Sequence, residues 1–278
     1  GGSFWCLSIS GSHLFAGTGN GLYSSSDEGQ KWVFVDPVRT YNRVQASNGS
    51  KIIFTIDANN NYKSTDSGKS WQEFFFPLRF NSVTSLSFLG DLELAGTDIG
   101  VFASNDLGKT WIVKDTVLLH EGIADLKVQN SFIYASNYKG EIFSSGDSAN
   151  HWKKIFTGDN VLYTTNFCAL DDTLLVYRKG LYGGFFISNN RGNTWTKSDS
   201  INKDLDVTQL LINNGVYYAS TWSQGIFFSS DHGHTWSTSD SGIVNPFISC
   251  IIASGKPIYL GTTSGSGYGG GNGLLFST

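Results

Sequence analysis

The sequence predicts an all-β chain: a seven-bladed β-propeller of four-stranded antiparallel blades, the last blade incomplete, forming a single domain over residues 1–278. Three observations lead there. One octet recurs six times at nearly constant spacing. The same strand–turn–strand layout precedes every copy. The composition is rich in Gly, Phe, Tyr, Trp, Ser and Thr and lacks Met, which favours short strands over helices.

The octets occupy residues 25–32, 64–71, 104–111, 145–152, 188–195 and 229–236, and their tryptophans are 39, 40, 41, 43 and 41 residues apart. Each reads as a hairpin turn with an aromatic peg. Asp27, Asp66, Asp106, Asp147 and Asp231, with Asn190 in the fifth copy, can accept backbone N–H groups inside their own turn. The glycine two residues later can take a positive φ. Trp32, Trp71, Trp111, Trp152, Trp195 and Trp236 are then expected to bury large rings between repeats. Ala149 stands where the fourth copy should have glycine, so that turn is expected to be distorted.

In the first repeat the strands are expected at 5–10, 13–17, 21–25 and 31–35, and later first strands begin near Val44, Val83, Ala124, Thr164, Val207 and Ile248. The blades then span about 4–36, 43–76, 83–115, 124–157, 163–199, 207–240 and 248–278. Leu7, Leu86, Leu126, Leu210 and Ile251 align in the first strands, and the next-but-one residues are also apolar, the period-two alternation of strands packed blade on blade. Residues 273–278 match 225–230, which lead into Asp231. The fourth strand of the last blade is therefore expected on residues outside this sequence or on a partner. The sequence opens on Gly1 rather than Met, so a processed chain or a fragment, with further domains, is expected.

The pattern Ser/Thr-x-Asp-x-Gly-x-Thr/Ser-Trp resembles the Asp-box (BNR) repeat of sialidases, sortilin-type receptors, xyloglucanases and a photosystem II assembly factor family. Six copies in register cover nearly the whole chain. The resemblance implies a propeller with the boxes on its lower face and ligand sites on the upper face, where second-to-third-strand loops and blade connections gather. Sialidases carry an arginine triad and an Arg-Ile-Pro-type segment, which this sequence lacks. Xyloglucanase sites lie between two propellers, and one is present here. The arginine-rich patch associated with the assembly factor family is also unmatched.

Candidate ligand-binding residues therefore come from the upper loops. Trp222, beside Gln224, either folds against its own blade or offers a flat platform; Tyr138, Tyr182 and Tyr268 occupy comparable loops. Trp5 is expected in a closure or core role. Arg43, Arg79 and Arg178 are either rim charges or a carboxylate clamp. Asp57 and Asp98, with Glu121, are upper-face carboxylates that could in principle serve acid–base glycoside chemistry at suitable spacing.

A net charge of −4 with 19 Lys and Arg gives no footprint for nucleic acid. No apolar run reaches the ~20 residues of a membrane helix. Cys6, Cys168 and Cys250 lack metal or redox spacing and read as buried thiols, with Cys6 and Cys250 at equivalent places in the first and last repeats. No metal, cofactor or catalytic residue is assigned. The functional expectation is a non-catalytic extracytoplasmic module, extracellular, cell-surface or periplasmic, that recognises a protein or glycan. A glycoside hydrolase and an assembly factor of a protein complex are the alternatives.

Overall fold

A computed structural model describes residues 4–35, 43–48, 51–55, 61–74, 76, 83–157, 166–180, 183–198, 204–239, 247–263 and 273–277. These residues form antiparallel sheets, each made of consecutive strands in chain order. The first contains Phe4–Ser10, His13–Thr18, Gly21–Ser25 and Val33–Phe34, within a residue or two of the sequence expectation. Five sheets have four strands, whereas the third (Val83–Leu89, Leu92–Thr97, Gly100–Ser104) and the last (Ile248–Ala253, Ile258–Thr262, Leu274–Ser277) have three. The third is a correction to the four-stranded pattern. After Trp111 its fourth-strand position keeps one bridge, Ala103 to Ile112, before the chain turns away.

The chain divides into two compact units, one of residues 1–43 and 166–278, the other of residues 44–165. Within each unit, sheets pack through apolar residues alternating along their strands. Leu94, Ile123, Leu126, Ile133 and Trp152 share a core in the second unit; Leu175, Tyr177, Phe185, Leu210 and Ala219 share one in the first. The last sheet packs on the first through Leu7, Leu14, Cys250 and Tyr259.

Among the described residues, second strands are buried along almost their whole length, and small residues such as Gly96 and Gly261 let neighbouring strands and sheets approach. A Cβ at Gly96 would sit 2.7 Å from Ile123 Cγ2, and one at Gly261 would sit 2.4 Å from Cys250 Sγ and 2.9 Å from Phe4 Cβ. Five of the first strands carry a bulge near their start, at Thr84, Thr208 and Ser249 among others. It aims a hydroxyl at the next sheet: Thr84 Oγ1 donates to the Ile123 carbonyl at 2.6 Å, Thr208 to Ile248 at 2.8 Å and Ser249 to Phe4 at 2.6 Å. Asn166 Nδ2 reaches the Val207 carbonyl in the same sense.

Trp5 occupies the bulge of the first sheet and is 45% exposed, its indole beside Gly19. The bulge turns it outward, which corrects the core role expected of it. The three cysteines are thiols, and Cys6 and Cys250 do share a register position, each opposite a second-strand glycine; Cys6, however, is only half-buried.

Candidate functional site

The box end of each sheet is a fold device. Ser25 Oγ donates to Asp27 Oδ1 at 2.7 Å and accepts the Gly29 N–H at 2.9 Å, Asp27 Oδ1 accepts the Lys31 N–H at 2.9 Å, and Trp32 Nε1 donates to the Gly29 carbonyl at 3.0 Å. The serine and carboxylate bonds recur in the other boxes, with Asn190 Oδ1 replacing the carboxylate oxygen in the fifth. Two corrections follow. The fourth turn keeps its backbone form, since Ala149 adopts φ +65° and its N–H still reaches Ser145 Oγ at 3.1 Å; among the described residues it lacks only the bond from the tryptophan Nε1 to the turn carbonyl that the other five boxes make. Of the box tryptophans only Trp111 and Trp152 are fully buried; Trp32, Trp71, Trp195 and Trp236 are half-buried, each donating its Nε1 to the turn glycine's carbonyl.

The opposite, loop end is where the sequence places ligand-binding residues. In the sixth sheet Thr221 Oγ1 donates to the Gly225 carbonyl at 2.8 Å and accepts the Gln224 N–H at 2.9 Å, fixing the turn that holds Trp222 and Gln224. The Trp222 N–H donates to the Asp206 carbonyl at 2.8 Å. Its ring is 43% exposed and stands edge-on to Phe247, centroids 6.0 Å apart, so it packs on a neighbouring connection rather than on its own blade. The Asp206 carboxylate pairs with the Lys179 ammonium from the fifth sheet's loop. Behind them the Leu205 N–H donates to the buried Tyr177 hydroxyl at 2.7 Å, and burial pushes that phenol up to about 12. Arg178, next to Lys179, lays its guanidinium over Phe186 at 5.1 Å. Trp222, Phe247, Asp206 and Lys179 are thus brought together on the first unit.

On the second unit Tyr138 is 49% exposed, its N–H donating to the Gly122 carbonyl at 2.9 Å and its ring against Gly122. Asp98 lies on the other flank of Gly122, its carbonyl 3.6 Å from where a Cβ would be. Beneath Tyr138, Asn137 Nδ2 donates to both Glu121 (3.0 Å) and Glu141 (2.8 Å). Lys139 pairs with Glu121 at 2.9 Å and Lys154 with Glu141 at 2.5 Å. Burial draws the Glu141 carboxyl upward, but the bonds from Lys154 and Asn137 outweigh it and hold the group below its ordinary range. A glycosidase acid needs the opposite shift.

Asp57, Arg79, Tyr182 and Tyr268, and the side chain of Arg43, lie outside the described residues. Sequence reasoning missed Lys179, Asp206 and Phe247. A signal was available: Asp98, Tyr138, Lys179, Trp222 and Thr263 each directly follow the residue that opens the hairpin loop, so one repeat position supplies the loop-end side chains.

No family model and no curated protein sequence matches the chain. Solved structures do. YCF48 from Cyanidioschyzon merolae is similar with a TM-score of 0.74 at 12% identity, over 93% of this chain and 92% of that one. YCF48 bound to D1 peptide is similar with a TM-score of 0.74 at 16% identity, over 93% and 88%. The GH74 xyloglucanase from Xanthomonas campestris gives 0.71 at 14% identity, over 99% of this chain and 52% of that one. The extracellular domain of BT4673 from B. thetaiotaomicron gives 0.73 at 14% identity, over 99% and 38%. The fold is a β-propeller.

Proposed function

We propose that the chain is an Asp-box propeller, each of its sheets a blade of one domain, that works by binding: it takes up an extended segment of a protein partner at its loop end, with Trp222 as the anchor. The observation that carries this reading is Trp222 itself. A large ring is left 43% exposed while its backbone is tied to Asp206 and its edge is braced on Phe247. A rigid aromatic of this kind loses little entropy on burial and suits an interface anchor. The Lys179–Asp206 pair beside it offers a donor and an acceptor for a peptide backbone. Among similar folds, YCF48 has been solved with a peptide bound, which supports a protein partner and keeps an assembly role in view. The extracellular domain of BT4673 supports a place outside the cytoplasm. Glycan recognition at the same end, through Trp222 and Tyr138, is the second outcome of the test; hydrolysis is disfavoured by lysines on both Glu121 and Glu141.

Selection of a randomised twelve-residue peptide display library on the whole chain, counter-screened on Trp222→Ala, tests the reading. Selected peptides are expected to weaken at least about tenfold on the variant, as for an anchor residue worth over 1.4 kcal/mol. Peptides that bind both proteins equally, or turnover of aryl glycosides that Glu121→Gln abolishes, would overturn it.

A further inference from the structure

In five of the six boxes the residue before the tryptophan locks the turn's second polar atom. Ser70, Thr110 and Thr235 donate to Oδ2 of Asp66, Asp106 and Asp231 at 2.5, 2.6 and 2.5 Å. His151 Nδ1 stands 2.6 Å from Asp147 Oδ2, and Asn190 Nδ2 donates to Thr194 Oγ1 at 2.8 Å. The first box departs from this. Its residue is Lys31, whose ammonium forms no ion pair among the described residues, and Asp27 Oδ2 receives no side-chain donor among them. At this box a hollow of about 370 Å³ is lined by His13, Ser24, Ser26, Asp27, Lys31 and Val33.

The lining restricts what can enter. An anion gains from Lys31 but meets the Asp27 carboxylate, which the Lys31 N–H and the Ser25 hydroxyl hold in its charged form. A cation meets Lys31. A neutral polyhydroxylated ligand satisfies both, because each hydroxyl donates and accepts: toward Asp27 Oδ2 on one side, from Lys31, Ser24 and Ser26 on the other. The exposed Val33 side chain gives a C–H face something apolar to rest on, and the His13 ring, stacked on Phe15 with centroids 6.4 Å apart, closes the wall. The volume lies within the range of small-molecule sites. We propose that the first box is a binding site for a neutral saccharide, distinct from the loop-end site.

The ¹⁵N-labelled chain is titrated with the methyl glycosides of glucose, galactose and mannose, and separately with sulfate and with tetramethylammonium. At least one glycoside is expected to shift the amides of residues 24–33 while those of the fifth box stay in place. Lys31→Thr installs the lock of the other boxes; it should leave the remaining spectrum unchanged and weaken that glycoside at least about tenfold. Trp222→Ala should leave the shifts intact, which separates this site from the loop end. The proposal fails if no glycoside shifts these amides, if sulfate or tetramethylammonium shifts them more, if Lys31→Thr binds undiminished, or if Trp222→Ala removes the shifts.

Discussion

Within a box, glycine and alanine answer to different neighbours. Gly233 has φ +85°, and a Cβ there would lie 3.0 Å from Ile187 Cγ1 and 3.4 Å from Tyr217. Gly233→Ala therefore adds a left-handed penalty to a crowded wall, and is expected to cost about 1–2 kcal/mol in urea unfolding. Ala149 already bears that backbone penalty, at φ +65°, but its methyl is buried beside Leu94, Ile133 and Trp152. Ala149→Gly relieves about 1 kcal/mol of strain and loses about 0.8 kcal/mol of methyl burial, so its unfolding free energy should move by less than about 0.5 kcal/mol. Equal effects from the two substitutions would refute this account. The glycine positions were legible in the sequence because their chemistry repeats. The residue before each was not: Glu28, Ser67, Leu107, Ser148, Arg191 and His232 all take positive φ, yet their side chains have nothing in common.

Strands and their spacing were equally legible, since alternation and turn chemistry are local. Their links to one another were not. Thr84, Thr208 and Ser249 look like ordinary polar strand residues until a bulge points each hydroxyl at the next sheet's carbonyl. Replacing Thr208 by the isosteric valine leaves the Ile248 carbonyl without its donor. It should cost about 1–2 kcal/mol, seen as a lower urea midpoint at unchanged slope. A midpoint within error of the parent would show that water takes over the bond. The third sheet's missing strand has a similar long-range cause. Asp115 accepts the Trp152 N–H at 3.0 Å and Lys114 Nζ donates to the Ser148 carbonyl at 3.2 Å, so the segment after Trp111 is drawn to the fourth sheet's box instead of pairing beside residues 100–104. The loop-end site was half legible for the same reason: Trp222 and Tyr138 announce themselves as aromatics, whereas Lys179, Asp206 and Phe247 matter only once the fold sets them beside Trp222.

Across the whole molecule the repeats act together as a pH-dependent ledger of stability. The hydroxyl and N–H donors of Ser70 and Thr110 lower the Asp66 and Asp106 carboxyls from 3.8 to about 2; Thr235 lowers Asp231 in the same way, the His151 ring and N–H lower Asp147, and the Lys31 N–H with the Ser25 hydroxyl lowers Asp27. A depressed carboxyl contributes stability above its unfolded value and loses it as pH falls through its folded one. The chain should therefore weaken from about pH 4 downward. Glu93 works in the opposite sense, because burial raises its carboxyl; its contribution is complete below 4.5 and fades as pH rises through its folded value. At the alkaline end burial pushes the Cys250 thiol from 9.0 up to about 12 and the Tyr177 phenol from 10.0 up to about 12. Both hold their protons better when folded, so their contribution is complete below pH 9 and is lost as pH climbs toward 12. Between these limbs the exposed His151–Asp147 pair tilts stability only slightly downward above pH 6.5, since water screens it. Urea midpoints followed by tryptophan fluorescence from about pH 2 to about pH 11 should fall below pH 4 and above pH 9, with a shallow decline between them from Glu93 and His151. Cys250→Ala should make the alkaline fall shallower while leaving the acid one in place. A midpoint that rises below pH 4, or an alkaline limb unchanged in both Cys250→Ala and Tyr177→Phe, would mean that groups other than the boxes and these two buried acids control the titration.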